Sequence, residues 1–363
     1  MPNGAKPLAA RVSGWLSVHA LPLWAGKGFD AQGGGFVDCL SADGEPMLGS
    51  PRRCMLQARQ LYVFSHAAML GLVPDTSVAR KGFEFLMRHG APDGAEQGFV
   101  HVMDRNGRVL DARRDLYDHA FLLLAFSWYY RASGDARARQ AMDDVVTAIQ
   151  ALRHPSGIGY LENNEGALPR RQNSHMHLLE GFLAAFAATG QFEMLSLASD
   201  MVQLLVEHFL YDGVLLEYFE DNWRPAPQAI MEPGHHQEWV WLLRQFNNGG
   251  ELVMRQLYDS VLRHGMPAQS RLLYNEVWSD GLQPKDAAKR LWPQTEHLKA
   301  ELALGLPGEE TVERIFKHFL DPASVKGAWI DRLDASNAPI QGTIPASSLY
   351  HVFLAFSEFL AEA

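Results

Sequence analysis

Gly98-Phe99-Val100-His101, a turn at Asn106-Gly107 and then the apolar run Phe121-Leu122-Leu123-Leu124-Ala125-Phe126 make up a phrase whose repetition decides the fold. Its opening recurs as Gly35-Phe36-Val37-Asp38, Gly159-Tyr160-Leu161-Glu162, Gly213-Val214-Leu215-Leu216, Leu272-Leu273-Tyr274-Asn275 and Gly327-Ala328-Trp329-Ile330. Several copies run into Asp43-Gly44, Asn164-Glu165-Gly166 or Asp280-Gly281, the residue types that supply the positive φ of a short hairpin. After each copy comes a long stretch with helical periodicity, near 52–72, 113–133, 173–189, 234–248, 290–305 and 345–361. They are rich in Leu, Ala and Phe, and on some of them a solvent face is hard to find, which marks buried helices. Stretches with a clearer polar stripe alternate with them, near 76–90, 135–154, 191–211, 250–265 and 307–321, and an N-terminal helix near 7–20 supplies the sixth outer partner. Six inner and six outer helices predict an all-α fold, an (α/α)6 barrel with short β-hairpins at one end, as one domain over residues 1–363. An open solenoid fits less well, because its repeats are usually shorter and carry no hairpin.

Composition narrows the function. The 363 residues are 47% apolar and 20% charged, enough for a large core, and 42 acidic against 32 basic residues give a net charge of −10. That surface would repel nucleic acid and anionic membranes, so a neutral small molecule is the expected partner. Only Cys39 and Cys54 are present, too few for a disulfide framework. Neither a signal peptide nor a long membrane-spanning apolar run is found, and the expectation is a cytoplasmic, unprocessed chain. The sequence leaves room for a homodimer without specifying one.

Because a hairpin precedes every inner helix, the N-terminal ends of the six inner helices should meet at one mouth. Unusual polar residues cluster there: Arg53 and Arg59, Asp115 and His119, then Asn173, His175, His177 and Glu180. The fourth repeat adds His235, His236 and Glu238, the fifth Trp292, Gln294 and Glu296, and the sixth His351. An arginine in so apolar a helix as Gln57-Ala58-Arg59-Gln60-Leu61-Tyr62 must be paired or face a cavity. His177 can be satisfied by Glu180 one turn later, and His119 can be a buried histidine without chemistry. Glu238, one turn beyond His235, is placed to orient it. A histidine at such a mouth is a natural acid or base at cellular pH.

These residues resemble the N-acylglucosamine 2-epimerase superfamily, on the side of its mannose isomerases and other aldose–ketose isomerases. The likeness covers nearly the whole chain. It rests on Gln57 to Tyr62, Asn173-Ser174-His175-Met176-His177-Leu178-Leu179-Glu180, Pro233-Gly234-His235 through Glu238-Trp239, Trp292-Pro293-Gln294-Thr295-Glu296 and Tyr350-His351, in that order. The resemblance implies that His235 and His351 are an acid/base pair supported by Glu238. It also implies that Arg59 and His177 hold sugar oxygens near the reacting carbons, and that Trp292 and Glu296 contact the sugar. Asn173, Glu180 and His119 complete the expected binding set. The implied reaction interconverts a free aldose and ketose, mannose and fructose, through a cis-enediol(ate), with Arg59 on the enediolate oxygen and no cofactor. A 2-epimerase of N-acylglucosamine, of mannose and glucose or of cellobiose uses the same intermediate. A glycoside hydrolase on the same barrel would instead need two opposed carboxylates, and a non-catalytic binding protein would need no histidine pair. No metal is expected, since His235-His236-Gln237-Glu238 lacks the zinc-protease spacing and no cysteine pair closes a zinc site.

Overall fold

One hydrogen bond, repeated, fixes the register of the whole molecule. In the computed structural model, which describes residues 5–227, 229–247, 250–280 and 282–362, the first amide of an inner helix donates to a carbonyl in the next repeat. Cys54 donates to His101, Leu116 to Glu162, Gln172 to Glu217 and Leu291 to Asp331, and Ala346 closes the circle on Asp38. In the fourth repeat the equivalent residue is Pro233, which has no N–H to place and whose fixed φ suits a first helical turn.

The helices follow in chain order. They are α1 (Ala5–Gly14), α2 (Cys54–Met69), α3 (Ser77–Phe85), α4 (Leu116–Ser133), α5 (Ala136–Ala151), α6 (Gln172–Thr189) and α7 (Phe192–Leu204). Then come α8 (Pro233–Phe246), α9 (Glu251–Ser260), α10 (Leu291–Ala303), α11 (Glu309–Ile315) and α12 (Ser348–Glu362). Even-numbered helices are inner, each packed on the next, and α12 returns to α2. The expected (α/α)6 barrel is the fold. The inner helices are buried along most of their length, as Leu122, Leu123 and Phe126 are completely. Each such side chain contributes about 1.5–3 kcal/mol by leaving water.

Sequence and structure differ at the outer helices. The expected spans 76–90, 191–211, 250–265 and 307–321 include wide π-helical turns, Leu86–Gly90, Leu205–Phe209, Val261–Gly265 and Phe316–Leu320. The N-terminal helix also continues, through Trp15–Ala20 into Leu21–Gly26, where Trp24 stacks on Trp329 at 5.0 Å and seals the first helix to the last repeat.

A β-collar tops the ring. The segment before each inner helix pairs antiparallel with the next repeat's hairpin: Arg52–Arg53 with Val102–Met103, Arg170–Arg171 with Tyr218–Phe219, Ile230–Met231 with Val277 and Trp278. Lys289–Arg290 pairs likewise with Arg332–Leu333, and Cys39–Leu40 with Ile344–Pro345, while Asp115 and Asn163 make the remaining bridge. The Asn106-Gly107 turn forms, with Gly107 at φ +82°. Gly281 of the expected Asp280-Gly281 turn lies outside the described residues, as does residue 248 of the expected helix 234–248. Among the described residues no helix is long and apolar enough to cross a membrane.

Candidate active site

Counting from the first residue of each inner helix sorts the polar residues by direction, because a helix brings side chains one turn apart onto one face. Three residues in are Gln57, His119, His175, His236 and Gln294. All five point back to the collar. Their side chains accept the backbone N–H of Phe36, Phe99, Tyr160, Leu215 and Leu273 at 2.7–3.1 Å. The three histidines use their other nitrogen on a carbonyl of their own helix entrance. Both ring nitrogens are thus engaged, and burial lowers all three pKa values, so they are neutral struts. This device also explains the glycine that opens the first three phrases. Gly35, Gly98 and Gly159 have positive φ, and a Cβ there would come within 2.8–3.1 Å of the strut side chain.

The axis belongs to two other positions. With the last repeat counted from Ala346, whose amide makes the register bond two residues before α12, one residue in are Tyr117, Asn173, Trp292 and Ser347; five in are Arg59, Phe121, His177, Glu238, Glu296 and His351. A cavity of about 320 Å³ is lined by Tyr117, Asn173, Trp292, Arg59, His177, Glu238, His235 and His351, with Arg53, Glu232 and Arg290 at its rim. Unmet hydrogen-bonding capacity gathers around it. Arg59 Nε, Asn173 Oδ1 and both Glu238 carboxylate oxygens are buried without a hydrogen-bond partner. Buried polar groups are otherwise nearly always paired, so such a cluster around a cavity is what a polyhydroxylated ligand would satisfy.

His235 and His351 flank Trp292, with ring centroids 5.0 and 5.5 Å from the indole. Each holds a carboxylate at Nδ1, Glu217 at 2.9 Å for His235 and Glu296 at 2.7 Å for His351. Neither Nε2 has a hydrogen-bond partner among the described residues. Their charges diverge. Burial disfavours the His235 imidazolium, but Glu217 and Glu232, the latter at 3.6 Å, outweigh it and raise its pKa to about 10. Burial, reinforced by Arg59 and Lys299, pushes His351 well below the ordinary histidine value. A charged and a neutral imidazole on one cavity are a ready acid and base.

Arg59 donates to the Tyr117 hydroxyl at 2.6 Å and lies over Phe121 at 4.2 Å, which leaves the rest of its guanidinium for a ligand oxygen. His177 faces the cavity with Nδ1 held by Glu180 at 3.0 Å, and burial lowers its pKa to about 3, so it is neutral.

Four expectations change. His119 is a strut and does not reach the cavity. Glu180 lies one turn deeper than His177 and spends its oxygens on His177 and the Tyr350 hydroxyl. Glu296 sits behind His351, completely buried, so it orients the histidine and does not contact a sugar. The partner of His235 is Glu217, while Glu238 turns toward the axis, 3.9 Å from His177 Nε2. Arg59, His177, Asn173, Trp292, His235, Glu238 and His351 are brought together as expected.

Glu217 was hidden by a slip of one residue. The strut bonds place Asp38, His101, Glu162, Glu217 and Asn275 in one structural slot, two residues after each bonded amide. The fourth copy of the phrase therefore begins at Val214, and the bonds of the last repeat likewise put Asp331 in the slot. Glycine misleads there, since Gly213 faces Gln256 and Gly327 faces the His19 backbone, with no strut beside either. With the slip corrected, Glu217–His235 is the counterpart of Glu162–Ser174 and Asp331–Ser348.

Two sets of donors could hold a divalent cation at this mouth, Glu238 with Glu296 and His351, and Glu217 with Glu232 and His235. In both, the histidine Nδ1 is already bonded to a carboxylate.

Comparison with known proteins gives the family. The N-acylglucosamine 2-epimerase (GlcNAc 2-epimerase) family profile matches residues 34–355. The chain belongs to that family. Within it, the chain is 32% identical to a protein named mannose-6-phosphate isomerase from Rhizobium meliloti (strain 1021), over 96% of both chains. It is 27% identical to a D-mannose isomerase of Thermobifida fusca, over 87% of this chain and 86% of the relative. The solved cellobiose 2-epimerase of Bacillus thermoamylovorans B4167 superposes with a TM-score of 0.86 at 19% identity, over 99% of this chain and all of the other, a likeness of fold. Family members are carbohydrate isomerases and epimerases, and this chain is an enzyme of that class.

Proposed function

We propose that the protein interconverts a free aldose and its 2-ketose, D-mannose and D-fructose, by histidine acid/base catalysis. The observation that carries this reading is the pair of imidazoles with opposite charge preference flanking Trp292 beside Arg59. In the reaction, protonated His235 gives its Nε2 proton to the ring oxygen as the C1–O5 bond breaks, and takes up the O1 hydroxyl proton as the C1 carbonyl forms, so that it ends protonated again. Neutral His351 then removes the C2 proton through Nε2. The electron pair left on C2 forms the C1–C2 double bond of a cis-enediolate, and the Arg59 guanidinium stabilises the negative O1. His351 returns its proton to C1 while His235 gives a proton to O1 and takes the O2 proton in exchange, and the ketose results with both histidines restored. Asn173, His177 and Glu238 hold the remaining hydroxyls.

Size and charge support a free monosaccharide. A cavity of about 320 Å³ is at the small end for ligand pockets. At the rim, Arg53 is paired with Asp38 at 2.7 Å and Arg290 with Asp331 at 3.1 Å, so a sugar phosphate would compete with a carboxylate for either arginine. The relatives named for D-mannose and for mannose 6-phosphate agree on the hexose and differ on the phosphate. The test is incubation with mannose, mannose 6-phosphate, N-acetylglucosamine and cellobiose in deuterium oxide, followed by NMR. Fructose formation with exchange at C2 is the expected result; inversion at C2 without ketose would make the protein a 2-epimerase, and no exchange on any sugar would end the reading.

A further inference from the structure

Eight residues into the inner helices lies the layer beneath the site, with Tyr62, Glu180, Trp241 and Lys299. Lys299 is completely buried. Its Nζ lies 2.6 Å from Glu296 Oε2 and 4.2 Å over the Trp241 ring. Glu296 Oε1 is in turn 2.7 Å from His351 Nδ1. An ion pair and a hydrogen bond thus join a lysine, a carboxylate and an imidazole whose remaining nitrogen, His351 Nε2, is left for the cavity. We propose that Lys299 is a positioning residue for catalysis: its ammonium against Glu296 Oε2 orients Glu296 so that Oε1 accepts from His351 Nδ1, which fixes the tautomer whose Nε2 lone pair accepts the substrate proton. The proposal rests on His351 acting as the base.

The surroundings make Lys299 necessary. Glu296 is completely buried and its donor atoms lie within 4.8 Å of those of Glu238 and His351. Burial and Glu238 raise its pKa, with Glu180 adding to them; the net direction is upward, and Lys299, 2.6 Å away, is the group that pulls toward the ionised form. The other charged groups do not take its place. Arg59 of α2 bonds Tyr117 and faces the ligand space of the cavity instead of Glu296, and His235 of α8 is held by Glu217. His177 of α6 is neutral, and Tyr62 and Tyr350, from α2 and α12, have pKa values raised by burial and donate no charge.

The chemistry follows from proton count. An ionised carboxylate only accepts, so Nδ1 carries the hydrogen and Nε2 is a base. A protonated Glu296 donates its O–H to Nδ1, the ring hydrogen then sits on Nε2, and the base is lost. A wrong tautomer of this kind is costly in carboxylate–histidine pairs generally.

The experiment compares wild type, Lys299→Met, Glu296→Gln and the double variant by kcat, KM and pH profile, with thermal melts to establish folding. Lys299→Met should lower kcat by about 10–100-fold, with KM within about threefold, and should recover as pH rises and Glu296 ionises. Glu296→Gln should lose as much without recovery, and the double variant should be no slower than Glu296→Gln. In ¹⁵N-histidine NMR, His351 should carry its proton on Nδ1 in wild type and on Nε2 in Lys299→Met. A folded Lys299→Met with unchanged kcat and pH profile would overturn the proposal. Should Lys299→Met fail to fold, a wild-type His351 protonated on Nε2, or a Glu296→Gln of normal turnover, would overturn it equally. If wild type turns over no sugar while the tautomer switch is seen, the isomerase reading fails and the positioning role of Lys299 stands.

Discussion

The His235 and His351 corners contain the same parts, an imidazole, a carboxylate on Nδ1 and a face of Trp292, and are driven to opposite charge. At the His235 corner two carboxylates, Glu217 and Glu232, face one ring. At the His351 corner the carboxylate is shared with Lys299, and Arg59 adds a second positive charge. Neighbouring charge, more than burial, separates the two, since both rings are buried. An enzyme that must give one proton and take another at the same pH needs such a difference.

Removing either ring breaks the comparison outright. His351→Ala and His235→Ala should each reduce turnover by at least about 10²-fold while circular dichroism shows the barrel intact; near-normal turnover in either would refute the pair. A smaller effect is expected when only the charge is altered. His235 acts in its protonated form, so activity should persist up to its raised pKa of about 10 and fall above it. Glu217→Gln removes the main positive shift, so the alkaline limb should move down toward the ordinary histidine value, with a loss of about 10–100-fold near neutral pH. An unmoved alkaline limb would show that Glu217 does not set the charge. His119→Ala should leave turnover intact in the folded enzyme and cost about 1–3 kcal/mol of stability for the unpaired Phe99 amide, read as a lowered melting temperature. His119→Gln should restore most of it, because Gln57 and Gln294 do the same work in their repeats. Chelation should change least: exhaustive treatment with a strong chelator is expected to leave the rate unaltered, and loss restored by a divalent cation would point to the Glu238, Glu296 and His351 set.

The sequence discloses the ring because a repeated phrase and helical periodicity are local properties. The expected inner helix 173–189 and the observed Gln172–Thr189 differ by one residue. Direction is harder. His119, His175 and His236 are strut residues while His177, His235 and His351 face the cavity, and the residue types do not separate them. Only the distance from the helix start does, and an error of one residue there turns a side chain by about 100°. Adjacent His235 and His236 show the consequence, one held by Glu217 and the other by the Leu215 amide. Glu217 is invisible for the same reason, since a glycine one place early set the phrase out of register. Glu238, one turn from His235 in sequence, looked like its partner, but the carboxylate that orients the ring comes from the collar, through tertiary structure.

The most direct test of the divided pair is ¹⁵N-histidine NMR of the wild-type enzyme across about pH 6–9, with the two signals assigned by single substitutions. The account predicts that His235 is an imidazolium and His351 a neutral ring throughout that range. Two neutral rings, or a charged His351 beside a neutral His235, would contradict it.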